Sequence, residues 1–464
     1  MRPHARWTTP RIALGVALLI PTPLLAQRAS LERLTHQETL ANGMHVIVFE
    51  NHAVPLATVE VVVKTGAMTQ TEDDQGVPHL FEHMLFKGYH GPLSRSWGEE
   101  MGAIHGGYNG TTAEEDVTYY VTLPSENTDA GVRVLANLVR DPNFDNDDLQ
   151  KERFVVLGEM QRDLSEPQEH LDLEMNRRLW GAGWPRKNPL GDQLSLMAVT
   201  PIQLKKIFGE WYVPNNSALI VTGDVSAPAV FAMAEKRFGG WKQGPDPFAA
   251  APVPPMPALD STRGVVVPGD VNDVTVQIEW QGPSVRKEPN ATYAADVLSG
   301  LLEDKESQFQ RELVDAGLFH AASLSYQSLD HTGPITFWGT TTTDKLPAAL
   351  TVLNSELARM GGEDYFKPSD LQIAEKRRAV RTAFQFEEGA QLAHTFGYWW
   401  AVAGLDYYLG YSDNLSTQRV KDVRAFVNQY ITGKPYVIGI LTPAKDAQVS
   451  AATLQQYIQM TEVQ

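Results

Sequence analysis

The sequence predicts an α+β protein built from two halves of similar construction. Residues 244–257 form a Pro/Ala-rich stretch without hydrophobic periodicity, which indicates a linker between two nearly equal parts. An apolar alternation typical of a strand opens each part, VEVVV at 59–63 and VTVQI at 274–278. We therefore expect a duplicated unit, although any two α/β segments share some likeness.

The ends of the two halves also correspond. IFGEWYVPNNSALIVTGD (207–224) and FVNQYITGKPYVIGILTP (426–443) both predict a helix end, a turn and a buried strand. The strand starts and the aromatic pairs repeat at an offset of about 215–218 residues. The expected organisation is a leader, a first domain, a linker and a second domain, at residues 1–26, 27–243, 244–260 and 261–464.

Residues 1–26 resemble a cleavable export signal. Three arginines precede a short apolar run at 12–20, prolines then interrupt it, and Ala26 offers a cleavage site. The run is shorter than the roughly 20 apolar residues that span a bilayer, so no stable membrane span is expected after cleavage. We expect the chain in the periplasm or outside the cell, and the alternative is an uncleaved membrane anchor.

Composition restricts both the partners and the metals. The 464 residues are 43% hydrophobic and 20% charged, which suits large cores and argues against global disorder. A formal net charge of −17 argues against nucleic acid as a partner. Because the chain has no cysteine, a metal site must use His, Asp and Glu, which suits zinc or manganese.

The segment GVPHLFEHMLFKG (76–88) carries the strongest chemical signal. On a helix, the i and i+4 spacing of His79 and His83 brings both imidazoles to one face, and Glu82 lies beside them. The other residues of this helix are apolar, and burying three polar groups among them is costly unless a metal or other partners compensate. The alternative is a pair of core histidines hydrogen-bonded to the glutamate.

A catalytic zinc usually has three protein ligands, so a third is expected elsewhere. The segment DDLQKERFVVLGEMQRD (147–163) predicts a helix in which Glu152 and Glu159 lie two turns apart on one face. Glu159 is the candidate ligand. Spacing alone leaves open that both carboxylates are simply solvated.

The H-x-x-E-H pattern is the inverted zincin motif, and its surroundings resemble the pitrilysin/insulinase family of metallopeptidases. The resembling segments are GVPHLFEHMLFKG (76–88), NGTTAEEDVTYY (109–120), KERFVVLGEM (151–160), WYVPNN (211–216) and VTGD (221–224). The likeness is greatest to the two-domain branch that includes mitochondrial processing peptidase and its bacterial relatives. It implies two homologous α/β-sandwich domains, each an antiparallel-rich sheet packed with helices.

The resemblance also implies roles for individual residues. One zinc ion per chain is held by three ligands, Glu82 is the general base and Glu152 supports catalysis. The three zinc ligands are His79, His83 and Glu159. The Gly-rich stretch around Asn109, Gly110 and Thr111 becomes an edge strand that pairs with the backbone of a peptide substrate, and its alternative is a flexible surface turn.

The second half departs from the metal-binding pattern. At the internal offset, the residues equivalent to the H-x-x-E-H group are Val297, Gly300 and Leu301, and residues 377–381, around the equivalent of Glu159, include no acid. No second metal site is therefore expected.

The second half also lacks a substrate-binding pair of the family. Relatives carry R-x-x-x-G-L-x-Y, whereas this chain has Leu313 in place of the Arg and His320 in place of the Tyr; Arg311 is two positions away, which turns it elsewhere on a helix. The expected function is a zinc-dependent endopeptidase, as the catalytic subunit of a heterodimer. Its partner would lack H-x-x-E-H and supply the Arg/Tyr pair. The alternative is a homodimer in which His320 substitutes.

Two further classes of function stay open at this point. One is a non-catalytic scaffold or peptide-binding subunit, although such members usually lose their metal ligands. The other is a metal-dependent hydrolase of another kind, such as an amidase.

Overall fold

The computed structural model describes residues 31–89, 97–374 and 389–462. Its first sheet has six strands in the order β1-β2-β6-β3-β5-β4, and only the β2–β6 pair is parallel. The strands are β1 (Thr35–Thr39), β2 (His45–Glu50), β3 (Leu56–Val63), β4 (Gly107–Thr112), β5 (Val117–Pro124) and β6 (Ser217–Gly223).

The second sheet repeats the construction of the first. Its strands are β7 (Arg263–Gly269), β8 (Val274–Gln281), β9 (Ala321–Tyr326), β10 (Pro334–Thr341) and β11 (Val437–Pro443). Their order is β7-β11-β8-β10-β9, with the single parallel pair β7–β11, which matches β2-β6-β3-β5-β4 strand for strand. The predicted duplicated α+β fold with antiparallel-rich sheets is confirmed.

Helices follow the strands in both halves. Those of the first half are α1 (Val77–Leu85), α2 (Trp97–Ala103), α3 (Thr128–Arg140), α4 (Asn146–Ser165), α5 (Pro167–Trp180), α6 (Gln193–Ala198), α7 (Pro201–Trp211), α8 (Ala227–Phe238) and α9 (Pro247–Ala250). Those of the second are α10 (Pro289–Leu302), α11 (Gln308–Gln310), α12 (Leu346–Arg359), α13 (Gly389–Val402), α14 (Leu405–Leu409), α15 (Tyr411–Ser416), α16 (Val420–Tyr430) and α17 (Ala447–Glu462). A π-helical turn, Arg311–Asp315, continues α11.

The two halves exchange one helix each. Helix α5, from the first half, packs its apolar face on β7 and β11 of the second sheet, and Leu171 and Trp180 are buried there. Helix α13, from the second half, packs on β3 and β6 of the first sheet, where Phe396 is buried. Each sheet therefore has its own helices on one face and a helix of the other half on the opposite face.

Two glycines allow the exchanged helices to come close to the sheets. A Cβ at Gly439, in β11, would lie 2.4 Å from Met175 Sδ of α5. A Cβ at Gly397, in α13, would lie 2.7 Å from Val62 Cγ2 of β3. Real Cβ contacts are longer than these distances, so a side chain at either position would force the neighbouring atoms to shift.

Several expectations are not tested by these elements. The predicted export signal at 1–26 and the residues 377–381 lie outside the described residues. The expected boundaries at 243 and 261 stay a prediction; residues 244–260 contain α9 and an extended segment whose Pro254 and Pro255 carbonyls accept hydrogen bonds from Arg186. In the described part of the chain, no helix has the length and apolar character needed to cross a membrane.

Candidate metal centre

Helix α1 is built so that its apolar side chains are buried and its polar ones gather on one side. It begins after Gly76, whose φ of 81° favours glycine, and the Gly76 N–H donates to Gln70 Oε1 at 2.5 Å. As expected from the sequence, four apolar side chains of this helix are buried in the first core: Leu80, Phe81, Met84 and Leu85. The burial of these four side chains sets the rotation of the helix about its axis. It therefore also sets the directions in which His79, Glu82 and His83 point.

The predicted third ligand lies against this polar face. Helix α4 packs on α1, and its start is fixed by Asp145, whose carboxylate accepts the N–H groups of the first turn. Glu159 Oε2 lies 3.7 Å from His79 Nε2 and 3.4 Å from His83 Nε2. The ligand atoms of these three residues all lie within 4.8 Å of one another, a spacing that one ion can bridge.

The protonation of the imidazoles suits metal binding. Burial, and secondly the neighbouring His83, lower the pKa of His79 to about 4, so its imidazole is neutral at neutral pH and has a lone pair. His83 Nδ1 lies 3.2 Å from Glu152 Oε2. A proton held on Nδ1 by that carboxylate leaves the lone pair on Nε2, towards Glu159. Two imidazole nitrogens and a carboxylate form a donor set that fits zinc.

Glu152 is buried, with 5% of its surface exposed. Its Oε1 forms an ion pair with Lys87 Nζ at 2.6 Å, and its Oε2 lies 3.2 Å from His83 Nδ1. The alternative that the Glu152 carboxylate is merely solvated therefore does not fit. In contrast, Phe154 and Val155 of the same helix are exposed, at 66% and 45%.

Glu82 lies between α1 and the edge strand β4. Thr112 Oγ1 donates a hydrogen bond of 2.7 Å to Glu82 Oε2. Burial raises the pKa of Glu82, and the Thr112 hydrogen bond opposes that rise. A Cβ at Gly110 would lie 3.0 Å from Glu82 Oε1, so a side chain there would crowd the glutamate.

Strand β4 is at the edge of the first sheet, paired with β5 on one side. Asn109 and Thr111 are exposed, whereas Gly110 is buried towards Glu82. Sequence reasoning singled out these three residues but missed Thr112. The signal was available, because alternation along a strand puts Thr112 on the same face as Gly110.

A cavity of about 420 Å³ opens beside His79. Among the described residues, its lining comes entirely from the first half, between His79 and Gln193. Besides the predicted ligand His79, the lining includes four carboxylates: Asp163, Glu169, Asp172 and Asp192.

The second half has apolar residues at the equivalent positions. Val297 and Leu301 of α10 are buried in the second core, at 5% and 3% exposure. Leu313 is fully buried in the same core, so this position serves packing. Arg311 and His320 are exposed, and the His320 N–H pairs with the carbonyl of Thr340.

Comparison with known proteins gives two family matches along this chain. The family model described as "Insulinase (Peptidase family M16)" matches residues 45–190, and "Peptidase M16 inactive domain" matches residues 198–377. An uncharacterized zinc protease of Rickettsia felis is 24% identical over 69% of this chain and 77% of its own length. A probable mitochondrial-processing peptidase subunit beta of Arabidopsis thaliana is 26% identical over 47% of this chain and 41% of its own length.

Solved structures share the fold. The structure of a protease from Helicobacter pylori superposes with a TM-score of 0.77, covering 88% of this chain and 99% of that one at 22% identity. The two family models together cover most of the sequence, in the order in which the two sheets occur. The chain belongs to the M16 (insulinase) family of peptidases.

Proposed function

We propose that this chain is a zinc-dependent endopeptidase that uses one metal centre in its first half. In this proposal His79, His83 and Glu159 hold the ion and Glu82 is the general base. The observation that supports it is the convergence of two imidazole nitrogens and one carboxylate oxygen within 4.8 Å of one another.

The residues around the metal would divide the work of peptide hydrolysis. Bound zinc supplies Lewis-acid polarisation of the reacting oxygen atoms. Glu82 accepts a proton from the attacking water at one carboxylate oxygen and later delivers it to the leaving amine. Thr112 holds the other oxygen of Glu82. The free edge of β4, at Asn109 and Thr111, would pair with the substrate backbone and align the scissile bond.

We further propose that the chain works as the metal-bearing subunit of a two-chain enzyme. A buried leucine, Leu313, stands where the Arg of the pair is expected, and Arg311 is two positions away from that place. His320 stands where the Tyr is expected, and it has no phenol hydroxyl. A partner that lacks H-x-x-E-H and carries that pair would complete the site. The relationship to a processing-peptidase subunit named beta supports a paired arrangement.

Export is the third part of the proposal. The arginines, apolar run and Ala26 at the start of the sequence suit a cleavable signal, which would deliver the chain to the periplasm or outside the cell. N-terminal sequencing of protein recovered from a periplasmic extract tests it. A start near residue 27 is expected, and an N-terminus at Met1 in a membrane fraction would contradict it.

The peptidase is tested by zinc content and cleavage of a long unfolded peptide. Assayed together with its partner, the wild-type chain should contain about one zinc per chain and lose cleavage on chelation. The variant Glu82→Gln should keep the zinc and lose turnover by several orders of magnitude, because the amide cannot accept the proton. Cleavage by Glu82→Gln at the wild-type rate would refute the assignment of the base.

The two-chain arrangement is tested separately. Cleavage by the purified chain is measured alone and after co-expression with a homologue that carries R-x-x-x-G-L-x-Y. Activity is expected with the partner only. Full activity of the chain alone, eluting as a dimer, would replace the heterodimer by a homodimer.

A further inference from the structure

The turn between β4 and β5 (residues 113–116) is bound to the second half by a buried carboxylate. Glu115 is 2% exposed, and it accepts the N–H of Asp330 at 2.7 Å and the N–H of His331 at 2.6 Å, one on each oxygen. His331 Nδ1 lies 3.3 Å from the same group. Asp330 and His331 belong to the β9–β10 loop (residues 327–333), so two residues more than 200 positions away fix this turn.

Lys187 makes a second link between the same segments. Its ammonium, on a side chain that is 1% exposed, donates to Glu114 Oε2 at 2.7 Å and to the carbonyl of Thr332 at 2.6 Å. Thr332 has a φ of 72°, uncommon for a residue with a branched side chain. The loop therefore holds an unfavourable backbone conformation while it contacts the first half.

The β9–β10 loop is itself anchored within the second half. Arg286 Nε lies 2.8 Å from Asp330 Oδ2, and the Leu329 carbonyl accepts the N–H of Val285 at 2.9 Å. The Tyr398 hydroxyl donates to the carbonyl of Ser328. Glu115 therefore joins the turn to a loop that is itself bonded to other residues of the second half.

The β4–β5 turn is next to Glu82, the proposed general base. Thr112, which donates to Glu82, immediately precedes it. The carbonyls of Ala113 and Glu114 accept the N–H groups of Ala67 and Met68, at 3.1 and 2.8 Å. A displacement of residues 113–116 therefore shifts the Thr112 hydroxyl relative to Glu82.

We propose that Glu115 is a positioning residue, which ties the β9–β10 loop of the second half to the β4–β5 turn and so holds Thr112 against Glu82. The half without a metal then acts on the metal-bearing half within the same chain. The role in turnover rests on the proposed peptidase function. The physical link, through Glu115 to β4, does not depend on it.

The test is a double-mutant cycle on the complete chain with the partner that gives activity. The variants are Glu115→Gln, Thr112→Val and the double variant, and the readouts are kcat and KM for one long peptide, together with zinc content. Glu115→Gln should lower kcat about 10- to 100-fold, because small misplacements of catalytic groups have effects of that size. Zinc content should stay unchanged.

The cycle separates positioning from loss of general stability. In the Thr112→Val background, Glu115→Gln should lower kcat by less than about 3-fold, because the group that it positions is gone. Multiplicative effects of the two substitutions on kcat would overturn the proposal. The matched control is Glu356→Gln, since Glu356 is equally buried but contacts Gln308, Arg359 and Tyr365 of the second half; its kcat should equal that of the wild type.

Amide hydrogen exchange provides a readout that needs no activity. Glu115→Gln should accelerate exchange in residues 107–122 of the metal-free and metal-loaded chain, whereas Glu356→Gln should not. Unchanged exchange there would overturn the proposal even if the wild type proved to have no peptidase activity. If Glu115→Gln does not fold, Glu115→Asp replaces it, since the shorter side chain keeps the charge but no longer reaches both N–H groups.

Discussion

At the scale of single residues, the proposed metal centre depends on a carboxylate, that of Glu152, which is not among the three proposed ligands. Glu152 bridges Lys87 and His83, at 2.6 and 3.2 Å, from a buried position on α4. Lys87 offsets the cost of burying this charge, and the carboxylate in turn selects the tautomer of His83. The metal affinity of His83 should therefore depend on Glu152, a residue that contacts His83 and is not itself a proposed ligand.

Replacement of Glu152 by Gln measures this effect. The amide is a weaker acceptor for His83 Nδ1, so we expect zinc affinity to fall about 10- to 100-fold. Competition with a chromogenic chelator gives the affinity directly. Asp147→Asn, at an exposed position in the first turn of the same helix, removes a carboxylate without this contact and should leave the affinity unchanged. An unaltered affinity in Glu152→Gln would mean that the Glu152 contact does not tune His83.

The sequence was sufficient to predict the three candidate ligands, and the structure brings them together. The i, i+4 spacing determines how two imidazoles share a helix face. Spacing alone left Glu159 open, and the family resemblance singled it out; the structure places it beside both histidines. Glu115 was not singled out. Its partners are main-chain N–H groups of residues 330 and 331, and main-chain donors leave no mark in side-chain spacing.

At the scale of elements, the contact between α5 and β8 contains acidic groups that burial keeps from ionising freely. Glu279 of β8 is 4% exposed and accepts from Gln277 Nε2 at 2.9 Å; the same nitrogen donates to Asp172 Oδ1 of α5 at 3.0 Å. Burial is the main cause that raises the pKa of Glu279 to about 7. As the pH rises through neutral, this buried carboxyl becomes charged, and its charge weakens the contact between the exchanged helix and the sheet.

Glu279→Gln should change how stability depends on pH. In the folded chain Glu279 keeps its proton up to about pH 7, whereas in the unfolded chain it loses the proton near 4.5. The folded state binds more protons in that window, so wild-type stability falls as pH rises through it. The amide cannot ionise, so the variant should be more stable at pH 8 by about 1–3 kcal/mol, and nearly equal to the wild type at pH 4.

Urea unfolding at the two pH values measures the difference. Glu306→Gln, an exposed change in the same half, should follow the wild type at both. A variant Glu279→Gln that loses stability equally at pH 4 and pH 8 would show that the hydrogen bond with Gln277, rather than the charge, dominates.

Strand patterns predicted the elements well but not their full burial. The alternation at 59–63 indicated a strand with one buried face, and β3 is that strand. Its other face is buried too, including Glu60, which pairs with His394 of α13. The helix that covers this face lies more than 300 residues away, and a local pattern holds no information about such a neighbour.

At the scale of the whole molecule, the exchanged helices make the halves depend on each other. The apolar face of α5 is buried against the second sheet: Leu171, Met175, Leu179 and Trp180 are each 1% exposed or less. Leaving one such side chain in water costs about 1.5–3 kcal/mol, a large part of the stability of an ordinary domain. The internal repeat predicted two similar units, whereas their interdependence required the three-dimensional arrangement.

The chain cut at the linker tests this dependence. Residues 27–243 expressed alone should lack a cooperative unfolding transition and should associate through the uncovered face of α5. Co-expression with residues 261–464 should restore one cooperative transition and a single 1:1 complex, as seen by calorimetry and size-exclusion chromatography with light scattering. A monomeric 27–243 fragment that unfolds cooperatively would contradict the prediction and support two independent domains.

The crossing of α5 and α13 also bears on how such a duplicated chain arises. A polypeptide with one unit would leave one face of its sheet bare, and a second copy that lent its own helix would be needed to cover it. Such an assembly forms only above a threshold protein concentration. Fusion of two copies in one gene removes that threshold, and it frees one copy to lose its metal ligands while it continues to shelter the other.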